Sequence, residues 1–127
     1  MYKMTNADLI WNRACAGGGS DSRAGDRALA ALLTAHGLTM NGGVLHVVEC
    51  LTPSEMSDAQ SGYRFFGLDA VADLLSHARR VFEADDDLAS QEALLDQQYA
   101  ALVPDDSSLV ERFEKYWREN PSDFAPL

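Results

Sequence analysis

Asp69-Ala70-Val71-Ala72-Asp73-Leu74-Leu75-Ser76-His77-Ala78-Arg79-Arg80-Val81-Phe82 is the stretch on which the reading of the fold turns. Val71, Leu74, Leu75, Ala78, Val81 and Phe82 recur at helical spacing, and Asp69 opens the segment as an acidic first-turn residue. Upstream, Thr52-Pro53-Ser54-Glu55 combines an N-cap, a proline at the first helical position and a glutamate able to close a capping box. The helix it starts runs to Phe66 and ends at Gly67. No stretch of the chain alternates convincingly as a strand would.

The same reading extends to both ends. A first helix is capped at Asn6, carries Leu9, Ile10, Trp11 and Cys15, and is stopped by Gly17-Gly18-Gly19. Asp21–His36 forms a second, with Gly37 as its C-terminal cap. Asn41-Gly42-Gly43 reads as a turn, and Leu45–Leu51 is compatible with either a short buried helix or a strand. Asp85-Asp86-Asp87 breaks the helix begun at Asp69, and Ser90–Leu102 carries the next. Pro104-Asp105-Asp106 is a turn, Ser107 or Ser108 caps the last helix, and Asn120-Pro121 ends it. Phe124 is positioned to pin the tail Ser122–Leu127 to the core. The fold class is therefore all-α, a single compact domain of about six or seven helices over residues 1–127.

Composition bounds the function. The chain has 127 residues, of which 46% are hydrophobic, enough for one modest core. No apolar run approaches the ~20 residues of a membrane span, and the N-terminus lacks the layout of a signal peptide. Cys15 and Cys50 read as reduced, partly buried thiols, which points to a cytoplasmic compartment.

Charge is distributed unevenly. Sixteen of the twenty acidic residues, but only six of the ten basic ones, lie after residue 50, so residues 51–127 carry the whole formal charge of −10. Such a field repels nucleic acid and anionic lipid and attracts basic protein surfaces. Asp69 and Asp73 stand four apart on one helix, with Glu83 further along and Asp85, Asp86 and Asp87 at its end. Carboxylates at that spacing repel, and acids at a helix C-terminus oppose its dipole, so local stability does not account for them. With Asp105 and Asp106 they form the candidate partner-binding surface. Carboxylates displayed in rows can imitate the phosphates of DNA. The competing reading is a solvated face that serves solubility, with Arg79, Arg80, Arg112, Lys115 and Arg118 neutralising part of it.

Reactive motifs are weak. Gly17-Gly18-Gly19-Ser20 lacks the lysine of a phosphate-binding loop. His46 and Cys50 share a helix face, but two ligands do not make a zinc site. Asp73 and His77 read as an ordinary i,i+4 surface pair, and Asp105-Asp106 lacks a calcium-loop pattern. The expectation is a non-enzyme without metal or cofactor.

Asn41-Gly42-Gly43, Tyr63-Arg64-Phe65-Phe66-Gly67-Leu68-Asp69-Ala70-Val71-Ala72-Asp73-Leu74-Leu75, Leu95-Asp96-Gln97-Gln98-Tyr99, Glu114-Lys115-Tyr116-Trp117 and Asn120-Pro121-Ser122-Asp123-Phe124 carry a resemblance. The stretch from Asn41 to Phe124 resembles a bacterial family of small helical domains of unknown function, typified by a DNA-mimic protein. Residues 1–40 resemble it less, and Val44-Leu45-His46-Val47-Val48 stands where family members tend to place aromatics. The resemblance implies an all-α fold, a homodimer, and an acidic surface that occupies the DNA-binding face of a transcription regulator. The expected partner is thus a basic protein, with no direct nucleic-acid or membrane binding. An immunity or antitoxin-type protein neutralising one basic partner, such as a nuclease, is the alternative. A small-molecule binder with His46, Glu49 and Cys50 around one cavity is a third.

Overall fold

A computed structural model describes residues 4–19, 21–84 and 87–127. The described residues form seven α-helices and no strand: α1 (Asn6–Cys15), α2 (Ala24–Gly42), α3 (Val44–Cys50), α4 (Pro53–Phe65), α5 (Asp69–Ala84), α6 (Leu88–Leu102) and α7 (Asp106–Glu119). A 3₁₀ turn, Pro121–Asp123, follows α7.

Local signals set several of these boundaries. Thr5, one residue before the expected Asn6, caps α1: its hydroxyl accepts from Asp8 N at 3.1 Å while Asp8 accepts from Thr5 N at 2.8 Å. Thr52 and Glu55 close the same box at α4, with Pro53 in the first turn. Both α1 and α4 end in Schellman bonds. Gly17 at φ 105° and Gly67 at φ 78° take the left-handed position, where a side chain is strained.

Packing sets the rest. α2 does not stop at Gly37; it runs on to Gly42. Leu29, Leu32, Ala35, His36 and Thr39 keep its inner face continuous across the glycine, and that burial outweighs a helix-propensity cost of about 1 kcal/mol. Asn41-Gly42 is thus the last turn of α2, and Gly43 alone makes the corner, at φ 91°. The ambiguous segment after it is the helix α3. Its first amide, Val44 N, donates to Asp96 Oδ1 on α6 at 2.8 Å. α6 begins at Leu88, two residues before the expected Ser90, and Asp105 stands at the N-cap of α7 in place of either serine.

α2 is the spine, with α1, α3 and α4 packed along it and α5 and α6 layered beyond. Gly62 of α4 lies so close to α2 that a Cβ there would sit 2.4 Å from the Ala28 carbonyl oxygen. α7 is held by rings: Phe113 meets Trp11, Phe66 and Phe124, and Tyr116 meets Phe65, Phe66 and Phe124. Phe124 is buried, so the tail is pinned as its sequence suggests. Cys15 and Cys50 are free but exposed, which corrects the expectation of partly buried thiols. No helix of the described residues is long and apolar enough to cross a membrane.

Candidate interaction surface

The acidic residues singled out from the sequence fall in separate places. Asp69 and Asp73 are exposed in the first turns of α5. Asp73 does not pair with His77; it accepts from Arg64 Nη2 on α4 at 2.8 Å. Glu83 lies near the other end of α5, roughly 20 Å from Asp69 at 1.5 Å per residue, and accepts from Arg79 at 3.0 Å. The exposed stripe between them contains His77 and Arg80, so the outer face of α5 is mixed in charge and not a row of carboxylates. Asp85 and Asp86 lie outside the described residues. Asp87 is exposed, at φ 47°, immediately before α6.

Asp105 and Asp106 lie past the far end of α6. Asp105 accepts from the Ser107 hydroxyl, and that bond holds its carboxyl below the usual aspartate range. Asp106 is 76% exposed, yet its Oδ1 is 2.7 Å from Nε2 of His36, a buried residue of α2. On the other side of the ring, Nδ1 is 2.7 Å from the Tyr99 hydroxyl, and that hydroxyl is 2.8 Å from Tyr63 Oη. A carboxylate can only accept, so in the neutral ring Nε2 donates to Asp106 and Nδ1 accepts from Tyr99. Burial, with the Tyr63 and Thr39 hydroxyls pulling the other way, leaves the Tyr99 phenol pushed up to about 12. Burial raises Tyr63 further still. The chain of groups resembles an acid–histidine–hydroxyl triad, but its hydroxyl belongs to a tyrosine only 3% exposed and is bonded to a second phenol. It anchors the N-terminus of α7 to α2 and α6.

Sequence reasoning missed the stretch that joins these acids. Residues 81–111 hold nine carboxylates, Glu83, Asp85, Asp86, Asp87, Glu92, Asp96, Asp105, Asp106 and Glu111, and no lysine or arginine. Scoring cation-free runs, not acidic clusters, would have found it. Its described residues are the end of α5, α6 with its flanking turns, and the start of α7. Only Leu95 and Tyr99 of α6 are buried, while Leu94 and Leu102 stand 52% and 40% exposed. Leu94, Gln98 and Ala101 are exposed on the helix's outer face, and Leu102, seven residues on from the buried Leu95, stands at the edge of that face. The result is an uncharged, partly apolar stripe with Asp87 at one end and Asp105 and Asp106 at the other; Glu92 is exposed in the first turns of α6 but on another side of the helix. Asp96, half-buried, is spent on capping α3.

Among the described residues, no three His, Cys, Asp or Glu side chains gather as a metal site. The family model of the DMP19-like proteins matches residues 22–126. The chain belongs to that family. The match begins upstream of Asn41 and takes in α2, the helix that carries His36 and Asp26. No curated protein and no solved structure matches this DMP19-like chain.

Proposed function

We propose that this DMP19-like protein is an acidic, non-catalytic interaction module that mimics DNA, its α6 edge occupying the DNA-binding surface of a basic transcription regulator. The observation that carries the reading is the cation-free run 81–111, folded so that carboxylates stand at both ends of an exposed helix. α6 itself spans roughly 22 Å, about the rise of six base-pair steps on a duplex. A basic groove meeting it gains long-range attraction and fast association, while nucleic acid and anionic membranes are repelled. The protein works in the cytoplasm, where such regulators act, and as a homodimer doubles the acidic edge it presents.

The exposed Leu94 and Leu102 favour a second reading, an immunity-type protein whose single basic partner, such as a nuclease, buries an apolar anchor at the centre of the contact. The two readings separate by salt. Partners captured from nuclease-treated lysate of the source cell are eluted with rising salt and then challenged with duplex DNA. A mimic's partner elutes at moderate salt and is displaced by its operator; an immunity partner resists both. Replacing Asp87, Glu92, Asp105 and Asp106 with their amides should weaken either complex more than tenfold, while Leu94→Ser should weaken only the second. Unchanged affinity in the amide variant would remove α6 from the site.

A further inference from the structure

The corner at Asn41-Gly42-Gly43 does more than join α2 to α3. Residues 39–43 close one side of an open pocket of about 350 Å³, and α6 with the turn after it closes the other. Met40, Gly43, Asp96, Ala100, Val103 and Pro104 line it, and no lysine or arginine does. Gly43 lets the Asp96 carboxylate lie hard against the corner, since a Cβ there would sit 2.9 Å from Oδ2. Oδ1 accepts from the Val44 amide at 2.8 Å, while no group among the described residues donates to Oδ2.

α2 and α6 also bring their C-terminal ends to this pocket, at Gly42 and Leu102. The last carbonyls of a helix have no helical donor and carry the negative end of its dipole. Two residues of the lining show why in their own sequence. The amide four positions on from Met40 is Val44 N, which donates to Asp96. The residue four on from Ala100 is Pro104, which has no N–H. One carboxylate oxygen and two helix ends, with no cation to balance them, favour a positive group rich in donors. The walls select its kind: Met40, Ala100, Val103 and Pro104 offer apolar surface that an aliphatic stem covers and a hydrated metal ion does not.

We propose that this pocket receives an arginine side chain of the basic partner, its guanidinium donating to Asp96 Oδ2 and the carbonyl ends of α2 and α6 while its stem packs on Met40 and Val103. Arginine suits the site better than lysine, because it carries five donors in a rigid plane and is more weakly hydrated. Asp105 and Asp106 follow Pro104 directly, so the pocket adjoins one acidic end of the α6 edge and sets the register in which a basic groove meets it. The source of the arginine rests on the proposed contact with a basic protein; the pocket's affinity for a guanidinium does not.

The test is a titration of the ¹⁵N-labelled full chain with Nα-acetyl-L-arginine N-methylamide, followed by NMR. The amides of Gly42, Gly43, Val44 and residues 101–103 should shift before any others. The citrulline counterpart, which keeps the shape and loses the charge, should shift none of them. Asp96→Asn keeps an acceptor oxygen for Val44 N and places an amide NH₂ where Oδ2 stood; it should weaken the probe about tenfold with the helix content unchanged. Met40→Ala should weaken it about twofold, and Asp73→Asn, on the exposed face of α5, should leave it unaltered. Equal shifts with citrulline, shifts no stronger here than along the rest of the acidic surface, or an affinity indifferent to Asp96→Asn would overturn the site. Tighter binding of putrescine at the same amides would reassign the pocket to a free amine and overturn the proposal. Should Asp96→Asn disturb α3, the citrulline comparison decides, because it uses the unaltered chain. None of these outcomes depends on the captured partner, so the pocket and the acidic-edge reading fail separately.

Discussion

Gly62 and Gly37 both stand inside helices, yet a single methyl group has opposite consequences at the two. At Gly62 a Cβ meets backbone, 2.4 Å from the Ala28 carbonyl oxygen and 3.2 Å from Leu32 N. Neither can yield without parting α2 from α4, so Gly62→Ala should destabilise by about 1–3 kcal/mol. At Gly37 nothing lies within 4 Å, the residue is exposed, and the backbone is helical. Gly37→Ala should therefore stabilise by about 0.5–1 kcal/mol, since the glycine only costs chain entropy there. Urea unfolding of the two variants reads both signs. The buried phenols give a second prediction at this scale. The Tyr99 phenol is raised to about 12, so its proton is held more tightly in the folded state. Its contribution is fully present below the ordinary phenol value of about 10 and is lost as pH rises through 12. Tyr99 should thus contribute about 2–3 kcal/mol to the fall in stability between roughly pH 9 and pH 12, on top of the loss from the other raised phenols. In Tyr99→Phe the fall should be smaller, from a lower starting point because His36 Nδ1 loses its hydroxyl.

α3 shows at the scale of an element why some boundaries are legible in the sequence and others are not. Thr52-Pro53-x-Glu55 announces α4 because the residues that cap it lie within its first turn. α3 begins at Gly43-Val44 with no capping side chain of its own; its cap is Asp96, 52 positions away, and no local pattern reveals that. Asp96→Ala should strip the Val44 amide of its acceptor and cost about 1–2 kcal/mol. Asp96→Asn, which keeps an acceptor oxygen, should cost less. Hydrogen exchange at Val44 and Leu45 should accelerate in the alanine variant before it does elsewhere. The overrun of α2 past Gly37 has the same origin, since burial of His36 and Thr39 on a continuous face outweighs a local stop signal. The site divides likewise. Composition reveals that the acid is concentrated after residue 50, but the choice of partner is tertiary. Arg64 of α4 takes Asp73 from its i+4 neighbour His77, and His36, a position the periodicity of α2 merely marks as inward, reaches Asp106.

For the molecule as a whole, the electrically neutral N-terminal segment supplies the cations that secure the end of the acidic remainder. Arg13 of α1 donates to the carbonyl oxygens of Ala125 and Pro126 and to Asp26, and Arg23 donates to that of Ser122. Asp26, 1% exposed, also accepts from the backbone of Arg23 and Ala125, so one buried carboxylate ties α1, the start of α2 and the tail together. Such a pair contrasts with Arg64 and Asp73, which are both well exposed. Removing a partner from a buried pair strands the remaining charge, which costs about 3–5 kcal/mol, whereas an exposed pair is worth under about 1 kcal/mol. Salt distinguishes the two further. A chain at formal net charge −10 repels itself, so added salt should raise the stability of every variant. It should also erase what little Arg64→Ala loses, because mobile ions reach that pair. They do not reach Asp26. The deficit of Arg13→Ala should persist essentially undiminished at about 1 M salt, and limited proteolysis should cut that variant first between Ser122 and Leu127, where the tail has lost its clamp. If the Arg13→Ala deficit is screened away as fully as that of Arg64→Ala, the Asp26 carboxylate is not carrying the charge-bearing contact between the two ends of the chain.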